Sequence, residues 1–563
     1  MKKTVYHIVD KKTVILAMIT FITYITYTLS LYIWCRGYYT YEDMFGPLSK
    51  NVIIAISIDL FLLMSFLLLY FLSSKCDDCR KDFILSIIVI VLLITSLRIL
   101  PDVADSYYDQ NFYDARGHMT RGAFVTLTGH SDPSIDSYFD LQPAFFWFTA
   151  IFINIIHGAP SSPSDPVFGF FIKWFHVIAI LIYIPILFEF FKRNNLRFRE
   201  AFLALFLFFT LSFTRFHYAA QTYANALFWL SLTLLFDIVM YREAKKIFML
   251  MLIFTAIIFI HQGVTVFMIV TLISIIIALL LSKYTKKHLL TALVLFIYFF
   301  MSWFVYLLYI SNFTLSSFTS TVISVIKKFL FEGVSGVVSQ EVYRPWRPWE
   351  EVVKFKAIYM GTLILSGTLL TVWMYKTTRN NIYLFKTFVI LGVSTLVGAV
   401  AVGLGGAGYI ERVPELLLPL FSAVFIETFK QLNNQKYENI LRKVFIVLMF
   451  FLIISAPFVY FSGRNFQSIP TSEDKAKEFL ITHTQSIAGL YSEIRTASAF
   501  TPLLTSSTPT SNTIYVKYQY QHDFIQTLYY KIGDIIALNS YIHKFKSTCN
   551  IVYHNPTTQL SYC

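Results

Sequence analysis

The sequence predicts an all-α polytopic membrane protein of about 13 transmembrane helices, with a small C-terminal α/β extracytoplasmic domain. Three observations predict it. The 563 residues are 56% hydrophobic and only 14% charged, against about 25% charged in soluble domains. Apolar runs of about twenty residues recur along most of the chain, each long enough to cross a hydrocarbon core about 30 Å thick as a helix. Finally, about half of the Lys and Arg fall in seven short loops: "KKTVYHIVDKK", "SSKCDDCRKD", "KRNNLRFRE", "YREAKK", "KYTKKH", "YKTTRNN" and "KQLNNQKYENILRK". This is the positive-inside pattern, so these loops are expected in the cytoplasm. The net charge of +13 is then a matter of topology and not a nucleic-acid footprint.

The elements follow in order. The opening "MKKTVYHIVDKK" has no small-residue cleavage site, so no cleavable signal peptide is expected. Hydropathy places spans near 13–34, 52–73, 83–100, 167–191, 201–214, 222–241, 247–260, 264–282, 289–310, 356–375, 383–403, 414–429 and 444–461. The segment 143–157, "PAFFWFTAIFINIIH", is apolar but only about fifteen residues long, at the margin for a crossing. If it crossed, "KRNNLRFRE" and every later basic loop would change sides. It is therefore expected as an interfacial or re-entrant helix on the outer face. The N-terminus then lies inside and the C-terminus outside a multi-pass cell-membrane protein.

That topology puts outside an acidic loop with seven Asp, two Arg and two His between Asp102 and Pro143. With it go the segments around Arg215–Gln221, Ser311–Lys354 and Gly405–Glu415, and the tail after Ser462. Two helices of about seventeen residues should meet at His261–Gly263, each reaching about 26 Å, so their tip sits near the outer surface. Arg215, His217, Glu411 and Arg412 fall at a similar level. Polar groups at that depth cost a few kcal/mol each unless they face a cavity or partners, which points to an outward-open polar pocket. In the tail, "TSEDKAKEFL" opens with a Thr-x-x-Asp cap before a helical pattern, and "TIYVKYQYQ" alternates like a strand.

The organisation read from this is 1–82 as N-terminal transmembrane helices, 83–461 as a transmembrane core with its acidic loop 101–142 and juxtamembrane helix 143–157, and 462–563 as the extracytoplasmic domain. Cys76 and Cys79 form a lone CxxC on a cytoplasmic loop, too little for a zinc site. Cys549 and Cys563 lie in the outer tail, where they can bridge. Walker, Rossmann and HExxH motifs are absent, and "LGGAG" follows no cytosolic strand.

Three stretches carry a resemblance. "DARGHM" at 114–119 resembles the Asp-x-x-x-His segment of archaeal oligosaccharyltransferase-like enzymes. "GHSDPSIDSYFDLQPAFFWFTAIF" resembles the Gly…Pro-plus-apolar juxtamembrane helix that follows it, and "GYIERVPELLLPLF" resembles the outer Arg ahead of a late span. On these the core is similar to the GT-C superfamily, membrane glycosyltransferases that use polyprenyl-phosphate-linked sugars, including protein mannosyltransferase-like members. Two departures stand out: two spans precede the helix leading to the acidic loop, and the WWDYG-type tail motif is missing. The resemblance therefore implies transfer of one sugar more than bulk transfer of an oligosaccharide to Asn.

Such a reaction needs a base for the acceptor hydroxyl, worth about 10²–10⁴-fold, and a cation for the departing phosphate. Asp114 is the expected base, or a ligand for Mg or Mn if the enzyme uses a divalent metal; Asp105 and Asp109 are the alternatives. His118, one helical turn from Asp114, can face the same cavity. Asp140 fits an N-terminal cap. Arg412 is the expected phosphate ligand because its planar fork binds bidentately, with Arg215 competing and Glu411 or Glu415 as alternative partners. His261 is either a substrate contact or a hairpin histidine satisfied locally. In "SQEVYRPWRPWEEV", Glu350 and Glu351 can bind hydroxyls or a metal and Trp346 and Trp349 can stack on sugars, although Trp and Tyr also form the aromatic belt. Asn312 opens the outer sequon "NFT".

The sequence thus points to an inverting hexosyltransferase-type enzyme. It takes a sugar from a polyprenyl-phosphate (dolichyl-type) donor to a glycan, lipid or protein acceptor at the outer face of the bilayer, with no nucleic-acid partner. Two rival readings remain: a lipid-linked-glycan transporter or flippase, and a non-catalytic cell-envelope scaffold.

Overall fold

The computed structural model describes residues 11–34, 48, 51–73, 80–100, 108–131, 138–156, 166–212, 218–241, 243–282, 284–311, 323, 349–403, 412–434 and 439–461, and the strand residues 468–470, 489–491, 513–518, 550–554 and 558–562.

Each apolar run of the sequence folds as a helix. The first are α1 (Lys11–Trp34), α2 (Val52–Ser73) and α3 (Arg80–Ile94), which runs on as a π-helical turn, Thr95–Ile99. Strand β1 (Tyr108–Phe112) then leads directly into α4 (Tyr113–Thr128), and the short α5 (Tyr138–Leu141) precedes α6 (Pro143–Ile156). The bundle continues with α7 (Pro166–Arg193), α8 (Phe198–Leu211), α9 (Ala220–Tyr241), α10 (Ile247–Ile260), α11 (Gln262–Leu281) and α12 (Lys286–Tyr309). It closes with α13 (Trp349–Thr378), α14 (Asn381–Gly403), α15 (Arg412–Asn434) and α16 (Asn439–Phe461).

Eight helices among the described residues are long and apolar enough to cross a membrane: α1, α2, α7, α9, α11, α12, α13 and α16. The remaining expected crossings, α3, α8, α10, α14 and α15, are helices at the expected places. Of these, α8 and α10 have only 14 residues each, a length of about 21 Å. The hairpin at "HQG" differs from expectation. Its arms are unequal, 14 and 20 residues, and only His261 separates them, because α11 already begins at Gln262.

Contacts sort the helix ends into two faces. On one, Arg199 at the start of α8 donates to the carbonyl of Leu72 at the end of α2, at 3.1 Å. There too Lys386, near the start of α14, donates to both carboxylate oxygens of Glu427 near the end of α15, each at 3.0 Å. This face carries the basic turns. On the opposite face, Arg98 at the end of α3 meets the end of α8 at Ser212, and Asn225 near the start of α9 meets Glu415 at the start of α15. Strand β1 pairs antiparallel there with β2 (Ser468–Pro470), joining the loop after α3 to the chain just beyond α16. The acidic connection and the tail therefore share one face.

The centre of the bundle is α8, where every residue from Arg199 to Leu211 except Phe202 is buried. By contrast, α6 buries Phe145, Phe146, Thr149, Ala150 and Ile153 and exposes Trp147, Phe148, Ile151, Ile155 and Ile156. Both of its faces are apolar: one lies on protein, the other is left for lipid. Its packing on α4 depends on Gly122, where an added Cβ would collide with the Thr149 side chain.

The tail holds β3 (Gly489–Tyr491), β4 (Thr513–Tyr518), β5 (Asn550–His554) and β6 (Thr558–Tyr562) in a four-stranded sheet of order β3-β4-β6-β5. The expected strand "TIYVKYQYQ" is found as β4, while the expected helix "TSEDKAKEFL" lies outside the described residues. The ladder pairs Asn550 with Tyr562, the chain neighbours of Cys549 and Cys563, which themselves lie outside the described residues.

Candidate functional site

The site begins at α4, which carries both Asp114 and His118, one turn apart as the spacing predicts. Asp109 lies in β1, opposite Ile469 of β2. Arg412 is the first residue of α15, and Glu350 is the second of α13. The side chains of Asp114, Asp109, Arg412 and Glu350, the side chain of the capping candidate Asp140, and all of Asp105 and Arg215 lie outside the described residues.

His118 is described and is 3% exposed. Its ring meets Phe145 edge-on at 5.2 Å and Phe146 at 5.8 Å, both on α6. The juxtamembrane helix is thus the wall against which the acidic connection is fixed. From there aromatic contacts run inward. Phe145 reaches Tyr218 at 5.3 Å and Tyr223 at 5.8 Å, and Phe175 of α7 touches the same two tyrosines at 5.0 and 5.2 Å. The Tyr218 hydroxyl bonds the Thr149 hydroxyl, closing α6 onto the start of α9.

Beneath this layer lies a buried polar group of which the sequence reading named only Glu415. Tyr183 of α7 donates to the Thr222 carbonyl at 2.6 Å and lies within electrostatic reach of Glu415, Tyr223 and Arg98. Glu415 is 2% exposed in the first turn of α15, where the helix dipole favours an anion, and accepts from Asn225 Nδ2 at 3.2 Å. Arg98 is also 2% exposed. It donates to the Ser212 carbonyl at 2.7 Å and the Phe209 carbonyl at 3.3 Å, and its guanidinium lies 4.2 Å from the centre of the Tyr460 ring. An Arg within a span costs about 2.5–3.5 kcal/mol on insertion scales. Carbonyls freed at the end of α8 and an aromatic face offset that here. The sequence did hold a signal: Arg98 ends its span on the side away from the basic loops, against the positive-inside bias. The π-turn that carries it is a form frequent at functional sites.

Ring contacts thus run from His118 through Phe145 to Tyr223, and both Tyr223 and Glu415 lie within electrostatic reach of Tyr183. His261 stands elsewhere in the network, as the N-cap of α11. Its Nδ1 accepts from the Val264 amide at 3.2 Å, so in a neutral ring the proton is on Nε2. This is the local satisfaction weighed for it above. Next to it, Gln262 Oε1 accepts from Trp303 Nε1 at 2.8 Å, anchoring the hairpin to α12. Among the described residues no group of three or more His, Cys, Asp or Glu is placed to hold a metal ion.

On the basic face a cavity of about 240 Å³ lies between Arg193, Asn194, Tyr241, Lys386, Glu427 and Lys430. Its cations all have carboxylate partners: Arg193 with Glu189 at 2.7 Å, Lys386 with Glu427 at 3.0 Å and Lys430 with Glu200 at 3.4 Å. Burial pushes the Glu200 carboxyl up, but hydrogen bonds from the Arg197 side chain and amide, with Lys430 nearby, bring it below its ordinary value. At the next turn, hydrogen bonds from Lys246 to Asp237 and Glu243 raise the ammonium above its usual value. These are braces for helix turns.

No family model matches this sequence, and no curated protein matches it. Solved structures do. An oligosaccharyltransferase of Archaeoglobus fulgidus tethered to an acceptor peptide containing the NVT sequon is similar over 86% of this chain and 74% of its own, with a TM-score of 0.50 and 11% identity. The apo form matches over 83% and 73% with a TM-score of 0.49 and 10% identity. The archaeal oligosaccharyltransferase AglB of the same organism, in complex with an inhibitory peptide and a dolichol-phosphate, matches 74% of this chain and 62% of its own, with a TM-score of 0.47 and 10% identity. The last alignment thus spans less than two thirds of that protein's length. The likeness is one of fold: the membrane bundle is built as in the tethered oligosaccharyltransferase.

Proposed function

We propose that this protein is an inverting GT-C glycosyltransferase that moves a sugar from a polyprenyl-phosphate donor to a glycan, lipid or protein acceptor at the outer membrane face. One observation carries the reading: on a bundle of GT-C fold, the acidic connection and the first turn of α15 are drawn to a common centre through Phe145, Tyr223 and Tyr183. In this reading all thirteen helices named in the sequence cross the bilayer. The basic face is cytoplasmic, the N-terminus lies inside, and residues 462–563 form an α/β domain outside. Clustering of the basic turns on one face supports this orientation.

Asp114 accepts the proton of the attacking hydroxyl, with Asp109 or Asp105 as substitutes; were a divalent cation used, Asp114 would hold it and the ion would supply positive charge to the phosphate. Attack inverts the anomeric carbon, whose bond to the phosphate oxygen breaks. Arg412, with Arg215 as the competing residue, holds the departing lipid phosphate. His118 holds the wall beside Asp114, Glu350 is left to contact substrate hydroxyls, and His261 serves as the cap of α11. Glu415 and Arg98 act from within the bundle by positioning: Glu415 ties α15 to α9, and Arg98 ties the end of α3 to the end of α8 and to Tyr460 of α16.

The test is direct. The purified protein is incubated with polyprenyl-phosphate mannose or glucose and candidate acceptors, with and without Mg²⁺ or Mn²⁺. Transfer from one such donor is expected. Absence of transfer from every lipid donor, with intact folding and donor binding, removes the enzyme reading.

A further inference from the structure

One carboxylate takes no part in either face. Asp59 lies within α2, on the helical hairpin that precedes the core. Its Oδ1 is buried and has no hydrogen-bond partner, and no partner reaches the other oxygen. Every other buried carboxylate described above has one. A bare carboxylate inside a span is expensive, and such residues are as a rule paired.

The surroundings say what kind of partner is missing. Tyr24 of α1 stacks beside Phe61 of α2 at 5.6 Å, so in this antiparallel pair Asp59 is level with Thr26 and close to the level of Thr23. Thr26 spends its proton on the Ile22 carbonyl at 2.9 Å, and Thr23 spends its own on Ile19 and Thr20 at 3.0 and 2.9 Å. At this depth the hairpin therefore offers acceptors without donors. Around them the surface is apolar: Ile22, Ile25 and Leu29 of α1 and Ile56 and Leu60 of α2 are exposed. A second copy of the chain would set carboxyl against carboxyl, a pairing that forms only when one of the two holds a proton. A Lys or Arg brings only donors and the opposite charge.

We infer that the α1–α2 face docks a transmembrane helix of another protein carrying a lysine or arginine at the level of Asp59. Packing comes from the exposed Ile and Leu, and register comes from the ion pair. Polar side chains act this way between membrane helices, where apolar surface alone gives no preference over lipid.

The full-length protein, labelled and reconstituted in phosphatidylcholine vesicles, is mixed with Leu-rich transmembrane peptides labelled for energy transfer. One peptide carries a single Lys at the matching depth, one a single Asp, and one neither. The Lys peptide is expected to associate about tenfold more tightly than the plain one. Asp59→Asn should abolish that preference, and Asp59→Lys should transfer it to the Asp peptide, which also shows that the variant face is folded. Equal association of the Lys and plain peptides overturns the proposal, as does a preference that survives Asp59→Asn. Asp59-dependent self-association with no gain for the Lys peptide assigns the face to a second copy and overturns it as well.

Discussion

The two faces of the bundle handle charge in opposite ways. At the basic turns, charge answers charge. Arg193 sits 3.6 Å from both Asp237 and Glu243, Lys246 bonds the same two carboxylates, and Glu200 takes both Arg197 and Lys430. On the opposite face the buried Arg98 turns to main-chain carbonyls and a tyrosine ring, and the buried Glu415 takes an amide from Asn225. The first arrangement mixes pairs exposed on both sides, such as Arg193 with Glu189 and Glu243, with cations that cover the buried carboxylates of Asp237 and Glu200; the exposed pairs are of small worth. The second uses few groups, buried, with Arg98 held by main-chain carbonyls and Glu415 by the Asn225 side chain. Rigid placement beneath long connections is what a reactive site requires of its support.

That contrast can be broken at several points. The largest effect is expected at the acidic connection: Asp114→Asn should lower sugar transfer about 100- to 10,000-fold while leaving folding and lipid binding intact, as read by radiolabel transfer and by sedimentation with donor. Arg412→Ala should instead weaken donor affinity, about 10- to 100-fold, with a smaller change in turnover; an unchanged affinity counts against its phosphate role. Next, Arg98→Met should cost about 2–3 kcal/mol of stability, because two charged hydrogen bonds are lost in a buried position. Glu189→Gln on the basic face, which breaks a pair with Arg193 exposed on both sides, should cost less than about 1 kcal/mol. Thermal unfolding in one detergent compares the two directly, and equal losses would erase the distinction between the faces.

The smallest effect concerns pH. Because its partners hold Glu200 below its ordinary value, the stability it adds is fully present above the unfolded-state value and is lost as pH falls through the folded-state value. The difference in melting temperature between the wild type and Glu200→Gln should therefore be largest near neutrality and shrink under acid. A difference that grows on acidification contradicts the ion pairing assigned to it.

Much of the fold was legible in the sequence because membrane helices are written in long apolar runs and basic turns. The loop "KRNNLRFRE" alone was enough to keep 143–157 from being placed as a crossing, and α6 is indeed a 14-residue helix with one face on protein. Less was legible where a single residue decides. At "HQG" the expected two-sided break is one capping histidine, since a side-chain acceptor on the Val264 amide lets α11 start at once. Arg98, and the burial and partner of Glu415, were hidden for another reason. Their partners, Ser212 and Asn225, lie more than a hundred residues away in chain order, and burial of a polar side chain depends on tertiary contacts that local pattern does not encode. Asp59 showed itself only by charge within a span, and its lack of a partner needed coordinates.

The central claim is that the first and last long connections of the non-basic face meet over one hollow. It is tested by replacing Asp114 and Arg412 with cysteine in a full-length protein whose five native cysteines are serine, then treating vesicles with a short bifunctional thiol cross-linker. Efficient intramolecular cross-linking, blocked by the polyprenyl-phosphate donor, is the predicted result. Failure of the two positions to join, with each thiol separately reactive, would contradict it.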